Sequence, residues 1–414
     1  MPRSGSRLAL RGFARRHAGQ WQGSNPAHAS RMRKILDLDD FERVVRRKLP
    51  RAVFGYVKHG SETETSLRSN RAVFDQWRFI TRVLVGVAER SQGVTLFGRR
   101  YEAPFGISPM GGSALVGYDA HNVMARAAAA ARIPFILSAN SIIPLEEVAK
   151  QNADTWFAAY QSATRSAVIG IADRCVRAGI RVLVVTADVA VHSNRESDPR
   201  NGFGFPVRPT PRLTWDVLTH PRWMLGVLAR TVAKRGIPRM VNLEPGGGPS
   251  LFSAQMKGST AHPALSWEHI RIMREHWKGP LVIKGILSPQ DVALARDHGA
   301  DGVILSNHGG RQLDQAVSPL EMLPAAIEAA GGLTVMIDSG YRRGTDVLKA
   351  LALGAHAVFV GRPFLYAAAH GGQGAVAHGI SLLREEIDKD MALLGVRRIE
   401  ELSPEMLIRA GGVP

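Results

Sequence analysis

His308 stands in the stretch 301–314, DGVILSNHGGRQLD, where an imidazole, two glycines and a guanidinium follow a short apolar run. Val303-Ile304-Leu305 has the composition of a strand buried on both faces. It stops abruptly at Ser306-Asn307-His308, which puts His308 at the carboxyl end of a strand. The glycines that follow let backbone or ligand come close. Arg311 adds a cation able to bind an anion beside the imidazole. A base next to a carboxylate-binding arginine is the pair needed to take a proton from a 2-hydroxy acid. A lone histidine at a strand end is usually a turn residue; the density of special residues here favours chemistry.

Elements able to hold this loop recur along the chain. Segment 104–108 leads into Pro109-Met110-Gly111-Gly112, 135–137 into Ser138, 156–159 into Tyr160, and 182–185 into Thr186-Ala187-Asp188. Segment 281–283 ends at Lys284-Gly285, and the His308 strand comes sixth. Segment 333–337 runs into Asp338-Ser339-Gly340, and 357–360 into Gly361-Arg362. Helical patterns intervene; TRSAVIGIADRCVRAG, SPQDVALARDHG and RGTDVLKALALG each close on a glycine stop. Eight strand–helix units predict an α/β fold, a (β/α)8 barrel with its chemistry at the carboxyl ends of the strands. Two half-sheets fit the pattern less well. After the seventh and eighth strands, DSGYRRG and GRP supply Arg342, Arg362 and two helix starts, a donor set suited to phosphate.

Composition bounds the rest. At 414 residues, 45% hydrophobic and 21% charged, the chain can bury one large core. No apolar run reaches the roughly 18 residues of a spanning helix. The single cysteine, Cys175, excludes an internal disulfide and reads as a small core residue. A net charge of +17 and a pI near 10.7 admit nucleic acid, an anionic membrane or an anionic substrate as partners. The arginines are scattered and form no nucleic-acid module, which ranks nucleic acid last. Residues 1–31 carry Arg3, Arg7, Arg11, Arg15, Arg16 and Arg31, with no acid before Asp37. They read as a disordered basic leader without a secretory core. A helical leader containing Tyr56 follows.

SNHGGRQLD closely resembles the signature loop of the FMN-dependent α-hydroxy acid dehydrogenases. The resemblance covers about residues 32–412 and is nearest to the bacterial membrane-associated (S)-mandelate and L-lactate dehydrogenases. MRKILDLDDFERVV resembles the start of family members, so translation is expected to begin at Met32. The resemblance implies FMN as cofactor and no metal. It implies His308 as the base, Asp188 orienting it, and Arg311 and Arg195 clamping the substrate carboxylate with help from Tyr56. Tyr160 would contact the substrate hydroxyl. Lys284 would lie at the N1/O2 edge of the flavin, with Ser138 and Thr186 on the isoalloxazine and Ser306 also on the cofactor. Pro109, Met110 and Gly111 would back the reactive face. Asp338, Gly340, Arg342, Gly361 and Arg362 would hold ribityl and phosphate.

Two departures stand out. FAAY occupies the place of the family's FQLY, so Ala158 replaces a glutamine that touches the flavin, and Gln161 falls on the other strand face. Met110 replaces a more usual threonine. Gly111 matches the mandelate subgroup, where oxygen-using relatives have alanine, which points towards quinone as acceptor.

More than seventy residues separate Asp188 from the helix near Trp267. The first part of this insertion, HSNRESDPRNGF, holds Arg195. Its middle combines Trp215, Trp223, Met224, Leu225 and Leu228 with Arg222, Arg230, Lys234, Arg235 and Arg239. No acid lies between Asp216 and Glu244. That mixture suits an anionic membrane interface, and HPRW resembles the membrane-bound subgroup; 204–262 is read as a membrane-facing or lid insertion. The expected protein oxidises an (S)-2-hydroxy acid of L-lactate or (S)-mandelate type and passes electrons to a membrane quinone. It would be a homotetramer, cytoplasmic and peripheral on the inner membrane. Its rivals are a soluble, oxygen-using oxidase and a non-catalytic barrel that binds anionic surfaces.

Overall fold

The computed structural model describes residues 32, 34–160, 164–256 and 261–411. The expected leader 1–31 and Gln161 lie outside them. The chain divides into two units, Met1–Leu36 and Asp37–Pro414. In the first, residue 34 sits in a turn; the second carries the fold.

Eight apolar segments of the second unit form parallel strands: β1 Phe105–Ile107, β2 Phe135–Ser138, β3 Thr155–Ala159, β4 Val182–Thr186, β5 Leu281–Ile286, β6 Gly302–Leu305, β7 Thr334–Ile337 and β8 Ala357–Val360. Each pairs with the next, and β8 returns to β1 to close the barrel. Both faces of these strands are covered, which is why they are apolar throughout rather than alternating. Phe105, Phe135, Trp156, Phe157 and Phe359 are fully buried among them. Each such side chain contributes about 1.5–3 kcal/mol of burial.

The expected barrel is present strand for strand, and one boundary differs for an instructive reason. β5 continues past Lys284 to Ile286, with a register shift between them. Gly285 has φ +102°, and a Cβ there would lie 2.6 Å from Asp188 Cβ. The glycine is a bulge within the strand, where the backbone bends past Asp188, and not the strand's end.

Outer helices begin where their caps dictate. Ser318 and Glu321 form a capping box for Pro319–Ala330, with Pro319 in the first turn. Ser288 accepts from the Gln290 N–H at the start of Pro289–Asp297. Three short helices, Leu38–Val45, Arg51–Lys58 and Thr65–Ala72, make up the leader of this unit. Cys175 is fully buried.

The insertion after β4 holds helices Ser197–Asn201, Pro211–Leu218, Pro221–Trp223 and Arg230–Arg235, with a π-helical turn at Met224–Ala229. One side is pinned to the barrel. Trp223 is buried, and its indole N–H donates to the Leu115 carbonyl at 2.9 Å. Arg235 pairs with Asp119 and Glu147, each at 2.8 Å. Asn242 is buried and bonds both Leu145 and Ile143. The other side exposes Trp215, Leu218, Leu225, Val232 and Ile237. Trp223 and Arg235 thus leave the outward-facing set read from composition, because each finds a specific partner on the barrel. No helix among the described residues is long and apolar enough to cross a membrane.

Candidate active site

One cleft opens at the carboxyl ends of the strands, and all eight strands or the loops directly after them reach it. Pro109, Met110, Gly111, Ser138, Tyr160, Thr186, Lys284, His308, Arg311, Asp338, Gly340, Arg342, Gly361 and Arg362 line it, with Tyr56 from the leader and Arg195 from the insertion. Asp188 and Ser306 stand behind this wall as partners of lining residues.

His308 has φ +58°, a left-handed conformation that a non-glycine residue holds only when its surroundings enforce it. Two contacts do so. Its backbone N–H donates to Ser306 Oγ at 3.0 Å, and its Nδ1 meets Asp188 Oδ1 at 3.0 Å. Asp188 as a carboxylate accepts from Nδ1–H, which leaves Nε2 unprotonated. Burial pushes the imidazole below its ordinary pKa, partly offset by the Asp188 charge. Burial pushes the Asp188 carboxyl up, but the charges of His308 and Lys284 and the hydrogen bond from His308 hold it below its usual value. The pair at rest is therefore a neutral imidazole on an ionised aspartate.

Ser306 also accepts from Lys284 Nζ at 2.7 Å, so a single hydroxyl ties the β5 lysine to the β6 histidine. Lys284 is buried and lies 3.2 Å from Asp338 Oδ2. Asp338 further accepts from Ser108 and Ser339, both at 2.9 Å.

The arginines are arranged differently. Arg311 donates to the backbone carbonyls of Tyr56 and His59 at 2.6 and 2.9 Å and lies 4.9 Å from the Tyr56 ring centre. Arg195 donates to Ser193 Oγ and the Arg311 carbonyl, and Arg362 to the carbonyls of Val57 and Gly309. Among the described residues, no carboxylate oxygen lies within 4.0 Å of these three guanidinium groups. Burial and then the Arg311 charge push Arg195 down to about 10 and Arg362 down to about 9. Both remain cationic at neutral pH. Arg342, in contrast, is paired with Asp39 at 3.1 Å.

These residues fit a flavin mononucleotide together with a carboxylate substrate. Half-buried guanidiniums held by carbonyl oxygens have positive charge to offer an anion. Lys284 is a buried cation, and buried Ser108, Ser138 and Thr186 line the same cleft. Ala158 lines the cleft and is buried, so this wall is apolar where a longer amide would reach in.

Sequence reasoning missed two contributions. The leader carbonyls of Tyr56, Val57 and His59 hold Arg311 and Arg362, and main-chain acceptors leave no residue signature. Phe205, Met240 and Met256 of the insertion line the cleft; an apolar residue in a long loop carries no sign of which way it faces.

The family model for FMN-dependent dehydrogenases matches residues 45–409. (S)-mandelate dehydrogenase of Pseudomonas putida is 38% identical over 379 residues, covering 91% of this chain and 95% of the relative. L-lactate dehydrogenase of Pseudomonas syringae pv. syringae is 37% identical over 383 residues, covering 91% and 99%. The solved structure of the monotopic membrane protein (S)-mandelate dehydrogenase superposes with a TM-score of 0.83 at 36% identity, covering 91% of this chain and 99% of that one. The chain belongs to the FMN-dependent dehydrogenase family, oxidoreductases that use FMN and act on CH–OH groups.

Proposed function

We propose that the protein oxidises an (S)-2-hydroxy acid of L-lactate or (S)-mandelate type to the 2-oxo acid. The observation that carries this reading is the His308–Asp188 pair beside two half-buried guanidiniums, Arg195 and Arg311, with no carboxylate oxygen within 4.0 Å among the described residues. These arginines bind the substrate carboxylate, with Tyr56 alongside. The Tyr160 phenol contacts the substrate hydroxyl, and burial, followed by the Asp188 charge, raises its pKa and keeps it protonated. His308 Nε2 takes a proton from the bound acid. Asp188 fixes the tautomer and stabilises the imidazolium that forms.

When bound, FMN supplies the two-electron acceptor of this oxidation. Lys284, held in place by Ser306 and Asp338, would provide a positive charge to the flavin. Ser138 and Thr186 would bond the ring system, and Pro109, Met110 and Gly111 would back it. Gly340, Arg342, Gly361 and Arg362 would hold the ribityl chain and phosphate.

The final acceptor in this reading is a membrane quinone, reached by a homotetramer peripheral on the cytoplasmic face of the inner membrane. Support comes from the outer side of the insertion, where exposed Trp215, Leu218, Leu225 and Ile237 mix with exposed Arg222 and Lys234. A visible spectrum of the purified flavoprotein, taken before and after anaerobic addition of L-lactate or (S)-mandelate, tests the chemistry. Bleaching by either acid is expected, and an unchanged oxidised band with both, and with other 2-hydroxy acids, would sink it. Oxygen consumption as fast as dye or quinone reduction would replace the quinone with oxygen.

A further inference from the structure

Asn140 follows β2 and lines the cleft. Its stem packs on Gly111, where a Cβ would lie 2.8 Å from Asn140 Cβ. Its backbone carbonyl accepts from the Gly112 N–H at 2.8 Å, so the loops after β1 and β2 are tied together at this point. Tyr160 lines the same cleft. The side-chain amide oxygen of Asn140, Oδ1, is buried and has no hydrogen-bond partner. A buried carbonyl left unpaired costs about 1–3 kcal/mol. At the wall of a ligand cleft, that cost is relieved when the ligand brings a donor.

The surroundings of Asn140 narrow the ligand. Asn140 shares its cleft with Tyr160, Tyr56 and Arg195, and Tyr160 feels the charges of Asp188 and Arg195, the groups assigned to the acid and not to the cofactor phosphate. Apolar Phe205 and Met240 line the same cleft. A methyl or bare phenyl side chain would satisfy those two and leave Oδ1 empty.

We propose that Asn140 determines specificity: its Oδ1 accepts a hydrogen bond from a hydroxyl on the side chain of the 2-hydroxy acid. Preferred substrates then carry a donor beyond the reacting carbon. This rests on the reading of the cleft as a 2-hydroxy acid site.

The test uses the FMN-loaded full chain with a soluble dye and two matched pairs of acids. One pair is L-lactate and (S)-2,3-dihydroxypropanoate; the other is (S)-mandelate and (S)-4-hydroxymandelate. The hydroxylated member of at least one pair is expected to show about ten-fold higher kcat/KM, carried mainly by KM. Asn140→Leu should erase that ratio while the flavin spectrum stays unchanged. Asn140→Ser, small and still able to accept, should keep part of it, and it serves if the leucine variant does not fold. Equal kcat/KM within both native pairs, or a ratio untouched by substitution, overturns the role of Asn140 and leaves the 2-hydroxy acid reading standing. Failure of every acid to reduce the flavin overturns both.

Discussion

The strand ends and the insertion after β4 solve opposite problems with similar residues. At the strand ends, cations are buried or half-buried and each is fixed by named acceptors: Lys284 by Ser306 and Asp338, Arg311 by two leader carbonyls. On the insertion, only the inner side is fixed in that manner, through Trp223, Arg235 and Asn242. Its outer side offers apolar residues and cations to whatever lies beyond. An identical residue type therefore has different worth in the two places. A directed cation under cover can act on a ligand held in one place, whereas an exposed one acts only through a screened field.

The largest break in this contrast comes from His308. His308→Ala should lower anaerobic flavin reduction by at least about 10³-fold while FMN remains bound, measured by stopped-flow absorbance. Near-native reduction would remove His308 as the base. Asp188→Asn should cost on the order of 10²-fold or more, because the imidazole loses its fixed tautomer. The pH profile sharpens this expectation. Burial holds the native imidazole below the ordinary histidine value, so kcat/KM should stay level through neutrality and fall only on the acid side. Asp188 raises that pKa against burial, so its loss should move the acid limb to still lower pH. A limb moving upward would contradict the assignment.

The insertion carries the smaller effects, and its two tryptophans separate its two sides. Trp223→Ala removes a buried indole and should cost about 3–5 kcal/mol, read as a lower denaturation midpoint. Trp215→Ser touches an exposed ring and should leave that midpoint unchanged. If the outer side rests on membrane, the same change should weaken binding to anionic vesicles about ten-fold. Equal effects of the two substitutions on stability would dissolve the distinction between the sides.

Much of this was legible in the residues. Strands buried on both faces announce themselves as unbroken apolar runs, and SNHGGRQLD marks the site because few loops need histidine, arginine and paired glycines together. What was not legible depends on facing and on the main chain. Trp215 and Trp223 lie eight positions apart in similar company, yet one is 69% exposed and the other 6%. Nothing local distinguishes them, because Leu115, the partner that buries Trp223, is 108 residues away. Gly285 looked like a strand end because a bulge and a stop use the same residue.

The leader carbonyls have a consequence for how the protein comes into being. The Val57 carbonyl accepts from Arg362 across 305 residues, and that of Tyr56 accepts from Arg311 across 255. During synthesis the leader emerges early and waits for partners that the ribosome delivers almost last. A nascent or prematurely terminated chain has the barrel's first strands but no closed anion clamp. Closure of this side of the cleft therefore waits on the last barrel strand, because Arg362 directly follows it.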